Sequence, residues 1–340
     1  MRIHGRPIGG GSAPFVVAEV GINHNGELDL AIEMVKAAAK AGADAVKFQA
    51  IRADKLLAPR GAGLSHVSGS VHDFFRSVEL TTDQFSRIRA ACRAAGIGFI
   101  VTPFDEGVAD ELKTAGVDAF KIASGDITHL PLLRHVARKR RPLILSTGAS
   151  TLTEIDTALS AIRQSSDVPV VLLHCVSAYP AAAQDMNLRA IQVMSRRFAL
   201  PIGLSDHTQG IHLALAAVAL GAVMIEKHFT ISRGLPGPDQ TLSVEAAELT
   251  KLVACAREVH MALGDGKKVP RRAEREARSQ GRRALYTIRD VEAGRALELG
   301  DIAVLRPAAG LPPEHIDRLI GRKVKTQLAA GAPIRARDLA

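Results

Sequence analysis

Two short segments, GLSDHT and MIEKHFT, carry the residues whose types and spacing point most directly to chemistry. His207 lies two residues after Ser205, and His228 lies two residues after Glu226. Because strand side chains alternate between two faces, each pair shares a face if these segments are strand ends. Imidazoles from neighbouring strands are suitable ligands for one divalent metal ion. The segments therefore predict a metal centre with open positions for water and substrate, which suits Mn²⁺, Fe²⁺ or Co²⁺ and does not exclude Zn²⁺.

Two lysines interrupt strongly apolar runs, Lys47 in VKFQA and Lys121 in FKIAS. A solvated surface charge is the ordinary interpretation of a single lysine, but an ammonium group within such a run needs a partner. Side chains that form hydrogen bonds lie at or near the ends of several of these runs: Gln49, Thr102, Ser124, Ser146 and Ser205. Together with the backbone of the STGAS turn, these groups predict a site for a phosphorylated substrate.

Three carboxylates are candidates for binding substrate hydroxyl groups or for moving protons: Glu19, Asp126 and Glu226. Such groups cluster at functional sites, and a purely structural role is the alternative for each of them. Glu19 is the first candidate for proton transfer. His174 in LLHCV is instead expected to be a buried imidazole whose hydrogen bonds are satisfied.

The elements that must position these residues are eight short, nearly continuous apolar runs. They are residues 15–21, 45–50, 98–104, 119–124, 142–147, 170–176, 201–207 and 222–230. Runs of this kind are typical of parallel strands covered on both faces. Amphipathic, alanine-rich stretches alternate with them, for example residues 28–43 and 82–96, and several end at glycine as helices do. This alternation predicts an α/β fold, a (β/α)8 TIM barrel rather than an open sheet.

Two insertions and a basic tail interrupt or follow the alternation. Residues 51–81 and the Gly- and Pro-rich residues 232–242 follow the second and eighth strands, on the face where barrel active sites are built. We expect the barrel domain to span 1–266, a charged linker 267–283 and a small β-rich domain 284–340. A unit of about 60 residues is only marginally stable by itself, so it is expected to dock on another protein surface.

Composition excludes several classes of protein. The 340 residues are 47% hydrophobic, which is enough for a large core, and the start MRIHGRPIGGG lacks the apolar segment of a signal peptide. The longest apolar stretch is too short to span a bilayer, so we expect a soluble, cytoplasmic protein without membrane contact. Cys92, Cys175 and Cys255 are scattered and are expected to be reduced. Most of the net charge of +9 lies in the segment from Lys267 to the end of the sequence. That segment has a single aromatic residue, Tyr286, and this scarcity argues against nucleic-acid binding.

Nine motifs in order closely resemble those of the sialic acid synthases: AEVGINHNGELDLA, GADAVKFQA, TPFDEG, FKIASGDITHLPLL, LILSTGAS, LLHCVSAYP, IGLSDHTQG, IEKHFT and GPDQTLS. The basic tail resembles the antifreeze-like, or SAF, domain that follows the barrel in that family. The resemblance covers essentially the whole chain. It implies an enzyme that condenses phosphoenolpyruvate with an N-acetylated mannosamine-type sugar to a nine-carbon 2-keto acid, releasing phosphate by C–O cleavage.

The resemblance also implies roles for individual residues. Catalytic roles fall to Glu19, Lys47, Lys121 and Asp126. Phosphoenolpyruvate would be held by Lys47, Thr102, Lys121, Ser124, Ser146 and Ser205. The acceptor sugar would be surrounded by Glu19, Gln49, Tyr179, His228 and Asp239, and Ser177 would contact either the phosphate or the sugar. His207 and His228 would bind the metal, usually Mn²⁺, with Mg²⁺ or Co²⁺ as alternatives. The family forms a domain-swapped homodimer, so Arg306 would reach the partner's acceptor.

Three departures from the family pattern leave the acceptor open. Ser177 replaces an asparagine found in some members, Ala50 replaces a usual threonine, and Asp126 is one methylene shorter than the common glutamate. N-acetylneuraminate made from N-acetylmannosamine is the first expectation. Synthases of legionaminic or pseudaminic acid, which use di-N-acetylated hexoses, share nearly all the motifs and are the alternative. A Schiff-base aldolase using Lys121, or a non-catalytic carbohydrate-binding protein, are further alternatives.

Overall fold

Eight parallel strands close into a barrel in the first of two compact units, Met1–Gly264. The computed structural model describes residues 1–58 and 70–340. The strands of this unit are β1 (Arg2–Ile3), β2 (Arg6–Pro7), β3 (Phe15–Gly21), β4 (Ala45–Ala50), β5 (Gly98–Pro103), β6 (Ala119–Ile122), β7 (Leu143–Ser146), β8 (Val170–Cys175), β9 (Ile202–Asp206) and β10 (Met224–His228). Strands β3 to β10 form the barrel in chain order, and β10 pairs with β3 to close it. The predicted TIM barrel is confirmed.

A helix follows each barrel strand and covers its outer face. The helices of this unit are α1 (Leu28–Lys40), α2 (Ala53–Leu56), α3 (Val71–Ser77), α4 (Thr82–Ala95), α5 (Glu106–Ala115), α6 (Leu130–Ala137), α7 (Leu152–Ser165), α8 (Ala190–Phe198), α9 (His212–Ala219) and α10 (Ala246–Leu263). The local sequence determines where several of these helices begin and end. Thr81 and Gln84 form a reciprocal capping box at the start of α4, and Gly96 ends that helix with a φ of 67°.

Strand alternation divides the barrel interior into an apolar layer and a polar layer. Near the amino-terminal ends of the strands the inward residues are apolar: Phe15, Val17, Ala45, Ile100, Ala119, Ile144, Val171, Leu173 and Met224. Two residues further along each of six strands, the inward residues are polar and buried: Glu19, Lys47, Thr102, Lys121, Ser146 and Glu226. Because every second residue of a strand faces inward, strands that are mostly apolar still present a layer of polar side chains at the carboxyl-terminal end of the barrel.

A hairpin that the sequence reasoning missed closes the opposite end of the barrel. Strands β1 and β2 pair antiparallel across a turn in which His4 and Gly5 both have positive φ, 45° and 74°. Such turns favour glycine and match the twist of a two-residue hairpin. Ile3 and Ile8 are buried against the apolar interior layer, so the hairpin covers the amino-terminal end of the barrel interior.

The two predicted insertions contain short elements. The first, residues 51–81, holds α2 and α3; its residues 59–69 lie outside the described residues. The second, residues 232–242, runs from the end of β10 toward α10. None of the helices in the described ranges combines the length and apolar character needed to cross a bilayer.

The second compact unit spans Asp265–Ala340. Strands β11 (Ala284–Thr287) and β12 (Ile302–Leu305) pair antiparallel, and a short helix, α11 (Ile316–Leu319), follows. Its core is built from small aliphatic residues: Leu285, Val291, Leu297, Ile302, Leu319, Val324, Leu328, Ile334 and Leu339. Residues 267–283, which the sequence predicts to be a linker, fall within this unit and contain one turn of 3₁₀-helix and one of π-helix.

Candidate active site

A cavity of about 450 Å³ opens at the carboxyl-terminal end of the barrel strands. Thirteen of the predicted site residues line it: Glu19, Lys47, Gln49, Thr102, Lys121, Ser124, Ser146, Ser177, Tyr179, Ser205, His207, Glu226 and His228. Because they come from strands β3 to β10 and the turns after them, the closed barrel is what brings them together. This is the end of the barrel at which TIM-barrel enzymes place their active sites.

Two ammonium groups and two carboxylates form a buried network on the cavity floor. Lys47 Nζ lies 2.8 Å from Glu19 Oε2 and 3.7 Å from Glu226 Oε1. Lys121 Nζ lies 3.6 Å from the same Glu226 oxygen, which also accepts a 3.0 Å hydrogen bond from Ser205 Oγ. Glu226 therefore joins the two lysines, and the four charges balance before any substrate binds.

Burial and mutual charge shift the four groups in different directions. Burial raises the pKa of Glu19, although Lys47 partly opposes it. Burial alone would also raise the pKa of Glu226, but Lys121 and Lys47 hold it below its usual value. Burial would lower the pKa of Lys47, yet Glu19 and Glu226 raise it, whereas for Lys121 burial prevails and its pKa falls. Of these two carboxyl groups, Glu19 is therefore the one that holds a proton more readily.

The two predicted metal ligands face each other across the cavity. The ring centroids of His207 and His228 are 5.4 Å apart. His207 Nδ1 lies 2.9 Å from the Val176 carbonyl oxygen, which can only accept, so this nitrogen carries the proton and Nε2 keeps its lone pair. Tyr179 packs on His207 with a centroid distance of 4.2 Å.

The surroundings of the two imidazoles suit a divalent metal ion. Burial, reinforced by the nearby His207, lowers the pKa of His228 well below its usual value, so this ring is neutral and able to ligate. Its Nδ1 is buried without a hydrogen bond, 3.8 Å from a carboxylate oxygen of Asp239. Among the described residues no three His, Cys, Asp or Glu side chains form a complete metal site. The pair therefore fits a metal whose remaining ligands are water and substrate, as in catalytic sites.

The turn after β7 is shaped to receive an anion. Gly148 N donates a 2.9 Å hydrogen bond to Ser124 Oγ, and the Ser146 hydroxyl is buried without a partner. A Cβ atom at Gly148 would lie 2.2 Å from Ser177 Oγ and 2.8 Å from Ser124 Oγ. Glycine is therefore required here for the hydroxyl groups to close around the turn, on the same cavity as the two lysines.

An adjoining cavity of about 480 Å³ holds the two predicted carboxylates that do not line the first cavity, Asp126 and Asp239. The two cavities share Gln49, Tyr179 and His228. One wall of the second is apolar: Ile22, Leu56, Phe74, Phe75 and Phe104. Burial raises the pKa of Asp126. The lining of the second cavity therefore combines carboxylates with aromatic surface.

Three further outcomes concern individual residues. Arg306 lies in the second unit and its side chain is exposed. His174 Nε2 lies 2.7 Å from the Met186 carbonyl oxygen, so it is the satisfied buried imidazole that the sequence predicts. Cys175, to which the sequence analysis gave no role in the site, lines the cavity with Sγ 3.9 Å from His207 Nδ1. The two-residue period that directs Val171 and Leu173 inward also directs Cys175 inward, so alternation along β8 could have found it.

Comparison with known proteins agrees with this geometry. The profile of the NeuB family matches residues 34–268, and that of the SAF domain matches residues 282–340. The chain belongs to the NeuB family. The expected family resemblance and the expected SAF domain are thus confirmed.

Relatives of this NeuB-family chain differ in the sugar acid they make. The N,N'-diacetyllegionaminic acid synthase of Legionella pneumophila is 39% identical, over 98% of this chain and 97% of that one. The pseudaminic acid synthase of Helicobacter pylori is 32% identical, over 96% and 98%. The crystal structure of the N-acetylneuraminic acid synthetase from Leptospira borgpetersenii is 38% identical with a TM-score of 0.74, covering 81% of this chain and 94% of that one. The chain is therefore similar to sugar acid synthases of three kinds.

Proposed function

We propose that this enzyme condenses phosphoenolpyruvate with a di-N-acetylated hexose to a nine-carbon 2-keto acid and releases phosphate by C–O cleavage. The observation that carries the proposal is the arrangement on the cavity floor. Two buried ammonium groups, Lys47 and Lys121, and the hydroxyl-lined turn at Gly148 face a pair of imidazoles within one cavity. An anionic enol ester and a polarised aldehyde need these two kinds of group side by side.

Each side chain has a role that follows from its charge and position. Lys47 and Lys121 would balance the carboxylate and phosphate of phosphoenolpyruvate, with Ser124, Ser146, Thr102 and Ser205 as hydrogen-bonding partners. His207 and His228 would hold the divalent metal, most suitably Mn²⁺, which when bound supplies Lewis-acid polarisation of the acceptor aldehyde.

The remaining groups can assist the bond changes of the reaction. C3 of phosphoenolpyruvate attacks the aldehyde carbon, water adds at C2, and the C2–O bond breaks to release phosphate. Glu19 would take the proton from this water, because burial raises its pKa toward the working range of a general base. The lysines stabilise the charge that grows on the departing phosphate.

The second cavity favours an acceptor with two acetamido groups. An acetamido methyl group gains roughly 0.8 kcal/mol when it is buried against apolar surface. Phe74, Phe75 and Phe104 provide such a surface, and Asp126 and Asp239, which line the same cavity, can bind hydroxyl groups. N-acetylmannosamine, the first expectation from sequence, has one acetamido group. The similarity to an N,N'-diacetyllegionaminic acid synthase supports the di-N-acetylated acceptor.

A panel assay tests the activity and the acceptor together. Phosphate release and product mass are measured with phosphoenolpyruvate and either N-acetylmannosamine or di-N-acetylated hexoses of legionaminic and pseudaminic type. We expect turnover that EDTA abolishes and Mn²⁺ restores, with the highest kcat/KM for a di-N-acetylated sugar. Higher kcat/KM for N-acetylmannosamine would refute the acceptor assignment. Absence of phosphate release with every sugar would favour a non-catalytic carbohydrate-binding protein.

A Schiff-base aldolase is the second candidate, because burial lowers the pKa of Lys121 as imine-forming lysines require. Borohydride reduction in the presence of pyruvate would then trap a covalent adduct on this lysine, and EDTA would leave activity intact. We expect the opposite on both counts, since the Glu226 carboxylate lies 3.6 Å from the ammonium group and favours its charged form.

We also propose that the active form is a domain-swapped homodimer in which Arg306 serves the partner's acceptor site. The exposed Arg306 side chain in the second unit and the family resemblance support this proposal. Mixing two variants of reduced activity, Lys121→Met and Arg306→Ala, tests it. A swapped heterodimer contains one site with an intact barrel and an intact arginine, so its activity should exceed that of either variant alone. No recovery in confirmed heterodimers would refute the swap.

A further inference from the structure

A buried ion pair that takes no part in the cavity lies between the two strands that carry the imidazoles. Asp206 and Lys227 are both 1% exposed, and they are register partners on β9 and β10. Asp206 directly precedes His207, and Lys227 directly precedes His228. Because strand side chains alternate, the pair lies on the outer face of the sheet while the two imidazoles lie on the inner face.

The same pair also closes the turn that follows His207. Asp206 Oδ1 accepts hydrogen bonds from Thr208 N at 3.0 Å and from Thr208 Oγ1 at 2.8 Å. Lys227 Nζ donates to Asp206 Oδ2 at 2.9 Å and to the Thr208 carbonyl oxygen. The backbone on both sides of His207 is therefore fixed to the residue that precedes His228.

Stability alone does not explain an ion pair at this place. The preceding register pair on the same outer face, Leu204 and Ile225, is fully buried and apolar. Replacing a buried ion pair with well-packed apolar residues of similar volume is often neutral or stabilising, because the charges no longer need to be desolvated. What an apolar pair cannot supply is the directional set of hydrogen bonds to Thr208.

We propose that Asp206 and Lys227 are positioning residues that hold the His207 and His228 imidazoles at the separation a divalent metal needs. The inference rests on the proposed metal site. Residues that orient metal ligands from outside the coordination shell change metal affinity by about 10- to 100-fold when they are substituted. The pair acts through the strand backbone and touches neither substrate nor metal.

The test compares metal affinity with thermal stability in the full-length protein. Mn²⁺ binding is measured by electron paramagnetic resonance, and the thermal midpoint by circular dichroism, for Asp206→Leu, Lys227→Met and the double variant. Lys227→Met leaves an unpaired buried carboxylate and should lower the thermal midpoint. The double variant replaces both charges with apolar side chains and removes the acceptor for Thr208, so we expect its midpoint to recover while its Kd for Mn²⁺ stays at least about tenfold weaker than wild type.

A matched control comes from the other end of the barrel. Asp44 is also buried; its Oδ2 accepts a 2.7 Å hydrogen bond from Val16 N, and its Oδ1 lies 2.7 Å from Arg6 Nη1. Asp44→Asn should lower the thermal midpoint without changing the Kd for Mn²⁺. A merely structural role for Asp206 and Lys227 would make the two sites behave alike.

Each remaining outcome overturns a distinct claim. If the double variant binds Mn²⁺ as tightly as wild type while His207→Ala loses it, the positioning role is wrong and the metal site stands. If wild type and His207→Ala do not differ in Mn²⁺ binding, the metal site itself is wrong, and the positioning role with it. A double variant that cannot fold, or an Asp206→Leu variant with unchanged Kd, would also overturn the positioning role.

Discussion

Replacing Lys121 with methionine tests the proposed phosphate site with a magnitude that the structure supplies. At 3.6 Å, the attraction between the Lys121 ammonium and Glu226 is about 5 kcal/mol at an effective dielectric constant of about 20, before desolvation is subtracted. Glu226 keeps Lys47 at 3.7 Å and its hydrogen bond from Ser205, so the net loss of stability should be nearer 2 kcal/mol. For a barrel of this size, the thermal midpoint should fall by about 4–8 °C.

The kinetic effect of the same substitution should be specific to phosphoenolpyruvate. A hydrogen bond to a charged group contributes about 1.5–3 kcal/mol, so kcat/KM for phosphoenolpyruvate should fall by roughly 10- to 150-fold, with little change in the KM for the sugar. Steady-state phosphate release with each substrate varied in turn measures both. Lys113→Met is the control, because Lys113 Nζ donates to the Lys139 carbonyl oxygen at 2.8 Å, in a segment outside the cavity. An unchanged KM and kcat for phosphoenolpyruvate in Lys121→Met would refute the phosphate site.

Three other substitutions or conditions have expected outcomes. Gly148→Ala should raise the KM for phosphoenolpyruvate at least about tenfold, because the methyl group displaces the Ser124 and Ser177 hydroxyls. Gly300→Ala, in the second unit and outside both cavities, has no atom within 4 Å of its new methyl group and should behave as wild type in the same assay. Burial alone would lower the pKa of His207, but its contacts with Cys175 and the Val176 carbonyl raise that pKa above its usual value. Because a protonated imidazole cannot ligate, the affinity for Mn²⁺ should weaken about tenfold per pH unit below this raised pKa. Affinity independent of pH in Mn²⁺ titrations would contradict this. Phe104→Ala should reduce kcat/KM for a di-N-acetylated hexose about tenfold more than for N-acetylmannosamine, and equal losses would remove the support for an apolar acceptor wall.

The barrel was predictable because its signals are local and repeated. β3 and β4 coincide with the predicted runs 15–21 and 45–50, and the other strands begin or end one or two residues inside theirs. Alternation within those strands also predicts which polar residues share the barrel interior. In the part of the chain that the structure describes, Lys47, Lys121 and Glu226 meet as the two-residue period requires.

Features that depend on packing between distant segments were not predictable. The aromatic wall combines Phe74 and Phe75 of α3 with Phe104, which follows β5, and no periodicity links these positions. The sequence grouped Asp126 with the residues of the barrel floor, but it follows β6 in a one-turn helix and lines the second cavity instead. Alternation alone places Asp206 and Lys227 on the outer face, but their pairing depends on the register between β9 and β10, which the sequence does not show.

Phosphoenolpyruvate labelled with ¹⁸O in the bridge between C2 and phosphorus tests the central claim most directly. One turnover with Mn²⁺ and a di-N-acetylated hexose is followed by mass spectrometry of the released phosphate. C–O cleavage places the label in the phosphate, which is the expected result for a site whose lysines stabilise departing phosphate from C2. Unlabelled phosphate would mean that the P–O bond breaks, and the proposed chemistry of this cavity would be wrong.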